Sequence, residues 1–315
     1  MNTWGKVILL LVLIMAPAVS AQADLALKAK VDALFVIASS GELKFRDLVG
    51  PAEDSIAALG VDGEPYLIAR LGTTDARERV ALENIFKKIG RAAAPLLNQA
   101  LRETDSLQLS RVALMLNFLP ETSSVSGLLA VINHPFYWVR YEAVRALGSI
   151  GDRRAVGPIR EALGDGDELV RTVAAVAAGK LNDSTLAPDL AAALDDSYYG
   201  VRMAAAEEIK KLACSVRQRV LLPLTAGLLP RMARISALAI MADDSCVYPW
   251  SLPAFGLNDS DPAVVAYALK AAFKAAPDSV MVRIKAMPMP VESVFLRQTM
   301  EELAGAYEKK TTVHP

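Results

Sequence analysis

The sequence predicts an all-α fold, an α-α superhelix of about six to seven stacked helix pairs with a cap at each end. Three observations predict it. Apolar residues make up 53% of the 315-residue chain and aromatics only 6%. The apolar content is mostly alanine, leucine and valine, and small side chains at that density suit close helix-on-helix packing better than a strand-rich core. A Val-Arg pair recurs at Val139-Arg140, Val170-Arg171 and Val201-Arg202, in steps of 31 residues. A proline recurs between these pairs, at Pro65, Pro95, Pro158, Pro188, Pro223 and Pro253, in steps of 30, 63, 30, 35 and 30 residues.

The first element is an address. Lys6 is the only charge before Asp24, Val7 to Met15 is an unbroken apolar run, and Ala21-Gln22-Ala23 is a small-x-small cleavage site. Residues 1–23 therefore read as a secretory signal peptide, which places the protein in the periplasm or outside the cell. A retained N-terminal anchor is the competing reading, but the apolar stretch Val7 to Val19 is 13 residues long and a span needs about 20. No later stretch is long and apolar enough to span a bilayer. Residues 24–62 read as an N-terminal helical cap, 63–287 as the repeat array, and 288–315 as a C-terminal capping helix with a tail.

Inside the array each unit reads as a proline-bearing helix, a short turn and an arginine-bearing helix. Proline in the first turn of a helix sacrifices no internal hydrogen bond, and Gly127 stands in the one empty proline slot. The arginine helices carry one apolar stripe at i, i+4, i+8 and i+11: Val139, Ala143, Leu147, Ile150; Val170, Ala174, Ala178, Leu181; Val201, Ala205, Ile209, Leu212. That is helical periodicity with one buried face. One such pair cannot bury its apolar face alone, so units stack. The chain has no useful alternating strand pattern and lacks the ankyrin and tetratricopeptide signatures.

The segment from Trp138 to Leu163, with its Val-Arg pair, closing Gly-Ser-Ile-Gly-Asp and Gly-Pro-Ile, resembles a short HEAT repeat of the type named after the phycobilin (PBS) lyases. The resemblance covers about residues 63–287 and is strongest over 133–212. It implies architecture more than activity, because HEAT-like arrays include scaffolds, transport factors, bilin lyases, a metal-dependent hydroxylase and DNA-repair proteins.

The ladder of Arg111, Arg140, Arg171, Arg202 and Arg234 has acidic partners. Asp105, Asp165 and Asp196 stand six residues before Arg111, Arg171 and Arg202. Each aspartate can cap the following helix, and each arginine can reach an aspartate of its own or an adjacent unit. The resemblance makes this a structural ladder; a row of guanidinium groups for anions is the rival reading. Phe136, Tyr137, Trp138 and Tyr141 cluster at one helix start, and Tyr198 and Tyr199 at another two units on. They are either inter-helix packing or contacts to a partner.

Catalysis finds little support. Of the two histidines, His314 is one residue from the end and His134 takes the aspartate slot of its unit. No nucleophile is marked for an acyl-transfer triad. There is no paired His-Glu motif of the metal hydroxylases and no Cys/His cluster for zinc, so neither metal nor cofactor is expected. Gly164-Asp-Gly-Asp-Glu168 and Asn258-Asp-Ser-Asp261 read as capping turns rather than calcium loops. A net charge of −1 argues against a nucleic-acid partner, whose footprint would be a basic excess.

Cys214 and Cys246 each lie twelve residues after a ladder arginine, Arg202 and Arg234, so they occupy the same turn of consecutive units. Units stack about 8–10 Å apart, slightly beyond the about 4.4–6.8 Å that a disulfide allows. The 35-residue proline step puts extra chain there that can close the gap, and export supplies the oxidising setting. A bridge is expected. The resulting expectation is an exported scaffold that binds a protein or peptide on a curved surface, without catalysis. The alternative, by family analogy, is a protein resembling a bilin or tetrapyrrole lyase or chaperone.

Overall fold

The computed structural model describes residues 22–102, 105–225, 230–243, 245, 246, 248 and 253–313. The signal-peptide reading rests almost wholly on residues 1–21, which lie outside the described residues, as does His314. Every regular element among the described residues is helical. The chain divides into two compact units, Met1–Ile150 and Gly151–Pro315.

The first unit comprises residues 22–38 (α1), Val49–Ala57 (α2), Glu64–Ile68 (α3), Ala76–Ile89 (α4), Ala94–Ala100 (α5), Ser106–Phe118 (α6), Val125–Val131 (α7) and Tyr137–Ile150 (α8). Short helices alternate with long ones, as the two residue ladders require. The long helices α4, α6 and α8 pack in succession, α5 and α7 pack on α6 and α8, and α2 lies against α4.

The second unit comprises Val156–Ala162 (α9), Glu168–Leu181 (α10), Ala187–Ala192 (α11), Tyr199–Lys211 (α12), Cys214–Leu221 (α13), Arg231–Asp243 (α14), Pro262–Ala275 (α15), Pro277–Ala286 (α16) and Val294–Val313 (α17). Again the long helices α10, α12, α14 and α15 pack in succession, and α17 closes the row against α15 and α16. Each unit is thus an all-α stack of helix pairs.

The apolar stripes form the core. Val139, Ala143, Leu147, Val170, Ala174, Val201, Ala205 and Ile209 are completely buried. The stripe ends one turn earlier than its sequence period suggests. Ile150, Leu181 and Leu212 are half-buried because they lie at or just past the helix ends. Aspartates start the long helices: Asp75 caps α4, Asp105 caps α6 and Asp167 caps α10, each accepting two backbone N–H bonds. Free first-turn N–H groups are satisfied in this way. Gly151, at φ 74°, turns the chain out of α8, a conformation that glycine adopts without steric cost.

Pro65, Pro95 and Pro188 sit in the first turn of α3, α5 and α11. Pro223 and Pro253 do not open α-helices. Pro223 lies in the 3-10 turn Leu222–Thr225 behind α13, and Pro253 opens the 3-10 helix Pro253–Asn258. The longer proline step before Pro223 leaves room for α13 ahead of it. Arg217 of α13, almost fully buried, ties that helix to the end of α12 by donating to the Lys210 carbonyl at 3.0 Å.

Candidate functional site

In the second unit the ladder is built from two different bonds. Two arginines hold their own turns: Arg171 Nη1 donates to the Asp165 carbonyl at 2.8 Å, and Arg202 Nη1 to the Asp196 and Ser197 carbonyls at 2.6 and 3.1 Å. Arg171 and Arg234 also reach the carboxylate of the following unit. Arg171 bridges Asp196 through Nε at 2.7 Å and Nη2 at 3.0 Å. Arg234 pairs with Asp259, Nη2 donating to one carboxylate oxygen at 3.3 Å and Nε lying 3.1 Å from the other as an ion pair. The carboxylates in these slots also accept the N–H two residues on, Asp165 from Asp167, Asp196 from Tyr198 and Asp259 from Asp261. Asp105 departs from this scheme. It is itself the N-cap of α6, accepting from Leu107 and Gln108 at 2.9 and 3.0 Å.

Burial would raise the Asp196 carboxyl, but the Arg171 guanidinium and the Tyr198 N–H outweigh it and hold the group below its ordinary 3.8. The side chains of Arg171 and Asp196 are only 15% and 12% exposed. Removing one partner of a fully buried pair costs about 3–5 kcal/mol, because the other charge stays buried alone. With some solvent reach, Asp196→Ala should cost about 2–3 kcal/mol at neutral pH. A depressed carboxyl stabilises above the unfolded pKa and stops doing so as pH falls through the folded one. The gap between wild type and variant in urea unfolding should therefore narrow as pH falls below the ordinary carboxylate range. A gap that persists unchanged down to the acid limit of the folded state would show that packing, not the ion pair, was lost.

The ladder lacks a carboxylate at two places. Ahead of α8 the aspartate slot holds His134, whose Nδ1 accepts the Phe136 N–H at 3.1 Å. Its carbonyl and that of Pro135 accept from Arg140 Nη1 at 2.9 and 3.0 Å. The turn is kept, but no acid is offered to the arginine one unit earlier, Arg111. Arg111 is half-buried, and its Nε is shut from solvent with no hydrogen-bond partner. Among the described residues its guanidinium forms no hydrogen bond or ion pair. The second break follows Arg202, where the slot six before Arg234 is Leu228, outside the described residues. Arg202 lies instead over the Tyr199 ring, 5.6 Å from its centroid.

Each break borders a depression. Along α12, α14 and α15 runs a groove of about 290 Å³ lined by Tyr199, Arg202, Met203, Met232, Ile235 and Tyr267, with Glu207, Lys210 and Asp243 also on its walls. Tyr199 is 64% exposed and Met203 42%. Tyrosine offers a rigid apolar face with a polar tip, and methionine an adaptable one. Tyr198, the N-cap residue of α12, is exposed as well.

Between α6 and α8 lies a smaller pocket of about 160 Å³, lined by Leu107, Ser110, Arg111, Leu114, Trp138 and Glu142. Phe136, Tyr137, Trp138 and Tyr141 form a chain of rings with centroids 5.7, 5.0 and 5.4 Å apart. Packing thus accounts for part of this cluster, yet Trp138 stays 38% exposed at the pocket. Glu142 is buried, with Oε2 accepting no hydrogen bond and Arg145 Nη1 3.4 Å away. Burial pushes its carboxyl up to about 7; Arg145 and Arg111 pull it down and Glu83 pushes it further up.

Glu142 was not among the residues singled out from sequence, though a signal existed. Two residues past the other ladder arginines stand Ala113, Val173, Ala204 and Ser236; past Arg140 stands a glutamate. No group of three or more His, Cys, Asp or Glu that could hold a metal occurs among the described residues. Nor is any described helix long and apolar enough to cross a membrane.

These repeating pairs, with their arginine–aspartate ladder, define a HEAT-like repeat protein, and comparison with known proteins agrees. Residues 125–210 match the family model of HEAT repeats. Importin beta is similar at 14% identity and a TM-score of 0.55, over 92% of this chain and 48% of that one; the chain spans about half of its length. YibA of Escherichia coli is similar at 16% identity and a TM-score of 0.46, over 84% of this chain and 98% of that one. The complex of CpcE and CpcF of phycocyanin lyase from a Nostoc species is similar at 18% identity and a TM-score of 0.39, over 76% and 94%. Likeness at such identities concerns the fold alone. No curated protein matches in sequence.

Proposed function

We propose that the protein is an exported HEAT-like scaffold that binds a protein or peptide partner, without catalysis, on the face of α12, α14 and α15. The observation that carries this reading is the groove in which Tyr199, Met203, Met232 and Tyr267 leave apolar and aromatic surface open to solvent. Large rigid aromatics and adaptable methionines are the side chains that supply contact energy at interfaces. The groove is already formed, so recognition needs little ordering of the scaffold. Arg202, Lys210, Glu207 and Asp243 along its walls supply both signs of charge for orienting a partner.

Photo-crosslinking from position 203 in the exporting cell should capture a defined partner. Tyr199→Ala with Met203→Ala should weaken binding of that partner at least about tenfold, since such contacts contribute about 1–2 kcal/mol or more each. The melting temperature should move by no more than about 2 °C, because both side chains are exposed. Unchanged binding of that partner by the double variant overturns the assignment of the groove. A purified protein carrying a pigment that absorbs visible light would overturn the scaffold reading in favour of tetrapyrrole handling. Intact mass of the secreted fraction tests export, with a mature chain beginning at Asp24 as the expected result.

A further inference from the structure

The first unit contains a ladder arginine with nothing to bridge. Arg171 shows what a guanidinium in this register does when a carboxylate is within reach: it takes both oxygens, at 2.7 and 3.0 Å. Arg111 has His134 in the corresponding slot, and the His134 Nδ1 is already occupied by the Phe136 N–H. We propose that the pocket between α6 and α8 binds a carboxylate that carries an apolar group, with Arg111 as its cation and Trp138 as its apolar wall.

Four observations converge on a carboxylate. Arg111 Nε is shut from solvent, so the terminal nitrogens are what the guanidinium can present to the pocket it lines. A guanidinium left partly buried without an acceptor is costly, and a planar two-oxygen anion is the group that its fork fits. Across the pocket stands Glu142, itself buried and with one oxygen unbonded. Its raised pKa leaves it largely a neutral carboxylic acid below pH 7, able to donate its O–H to the second oxygen of a bound carboxylate. The charged groups that act on Arg111 and Glu142 are Arg79 and Glu83 of α4 and Arg145 of α8. With Glu142 neutral, the three arginines face the single charge of Glu83, so the pocket attracts an anion. Beside Ser110, whose hydroxyl donates to the Leu107 carbonyl, Leu107, Leu114 and the Trp138 ring supply the apolar walls. They suit an attached aliphatic or aromatic group and disfavour a fully hydrated inorganic anion.

The ligand can be a free small organic acid or the carboxyl end of a peptide, and the chemistry of the pocket is the same for both. The site is separate from the groove along α12, α14 and α15, so its failure leaves that reading intact. The test is calorimetric titration of the full chain at pH 6.5 and pH 8. The probes are 3-phenylpropionate, its amide, a tripeptide ending in phenylalanine and its C-terminal amide. At least one acid should bind, with its amide weaker by about tenfold or more, the usual loss when a charge-assisted bond is removed.

Arg111→Gln should abolish the preference for acid over amide, and so should Arg111→Lys, which keeps the charge but not the fork. Wild-type affinity should fall between pH 6.5 and 8 as Glu142 ionises, whereas Glu142→Gln should bind alike at both. Binding of 3-phenylpropionate alone assigns the site to small acids, and binding of the tripeptide alone to peptide termini. Acids that bind no better than their amides, or neither acid binding, overturn the proposal. Wild-type affinity that ignores pH overturns the donor role of Glu142.

Discussion

Replacing Cys214 and Cys246 together by serine should lower stability by about 3–4 kcal/mol. The two cysteines are bridged, with Cα atoms 5.8 Å apart and a sequence separation of 32. Closing a loop of that length removes conformational freedom from the unfolded chain, and the logarithmic dependence on loop length sets the size of the effect. The bridge joins the first residue of α13 to the chain just past α14. It falls where the other fastener is missing, since the slot that would hand Arg202 a carboxylate is leucine. It also falls where the long helices meet less: α12 packs less extensively on α14 than on α10. Urea unfolding reads the outcome through the midpoint, and the slope reports the looser unfolded chain. Reductant should lower the wild-type midpoint to that of the double variant and leave the variant unmoved. A loss below about 1 kcal/mol would mean that the reduced, unfolded chain is already held together in this region.

That pairing was legible in the sequence only through register. Regular stacking puts equivalent turns too far apart, and it was the twelve-residue offset from two ladder arginines, with slack before Pro223, that pointed to a bridge. The architecture was legible for a related reason. Each unit must offer the same buried stripe to its neighbours, so Val139, Val170 and Val201 and the residues behind them repeat in kind. The ladder was legible as a set of residues but not as a set of bonds. Arginine and aspartate six apart leave open a contact within one unit or with the next. The structure gives the backbone carbonyl of that turn to the arginine and reserves the carboxylate for the arginine before it, as in Arg171 with Asp196. Pro223 and Pro253 misled because a proline is equally at home in a 3-10 turn. The pocket at Arg111 was hidden for the opposite reason. Recurrence conceals departures from it, and this pocket consists of two: a histidine in an acid slot, and an acid at Glu142 where sister units have alanine, valine or serine.

Glu142→Gln should make the protein more stable at pH 8, by up to about 3 kcal/mol, and leave it nearly unchanged near pH 4.5. An ordinary glutamate loses its proton near 4.5, whereas burial holds this one until about 7. Between those values the folded protein keeps a proton that the unfolded chain has lost, so stability falls as pH rises, by about 1.4 kcal/mol per pH unit. Above pH 7 both states are ionised and the penalty levels off. Glutamine has the same shape and no charge to bury, so its curve should lack this descent. Subtracting the wild-type curve from that of the variant cancels the titrations they share, and urea unfolding at half-unit steps from pH 4.5 to 8.5 gives the difference directly. Parallel curves would show that Glu142 reaches water or a cation in the folded chain and titrates normally. A glutamate kept only for packing or for an ion pair with Arg145 should cost stability when replaced. One whose replacement adds stability at pH 8 is held in place against the fold, and Arg111, half-buried beside the same pocket without an acceptor, is held there at a disadvantage of the same sign. Two such residues lining one cavity point to a role in binding rather than in folding.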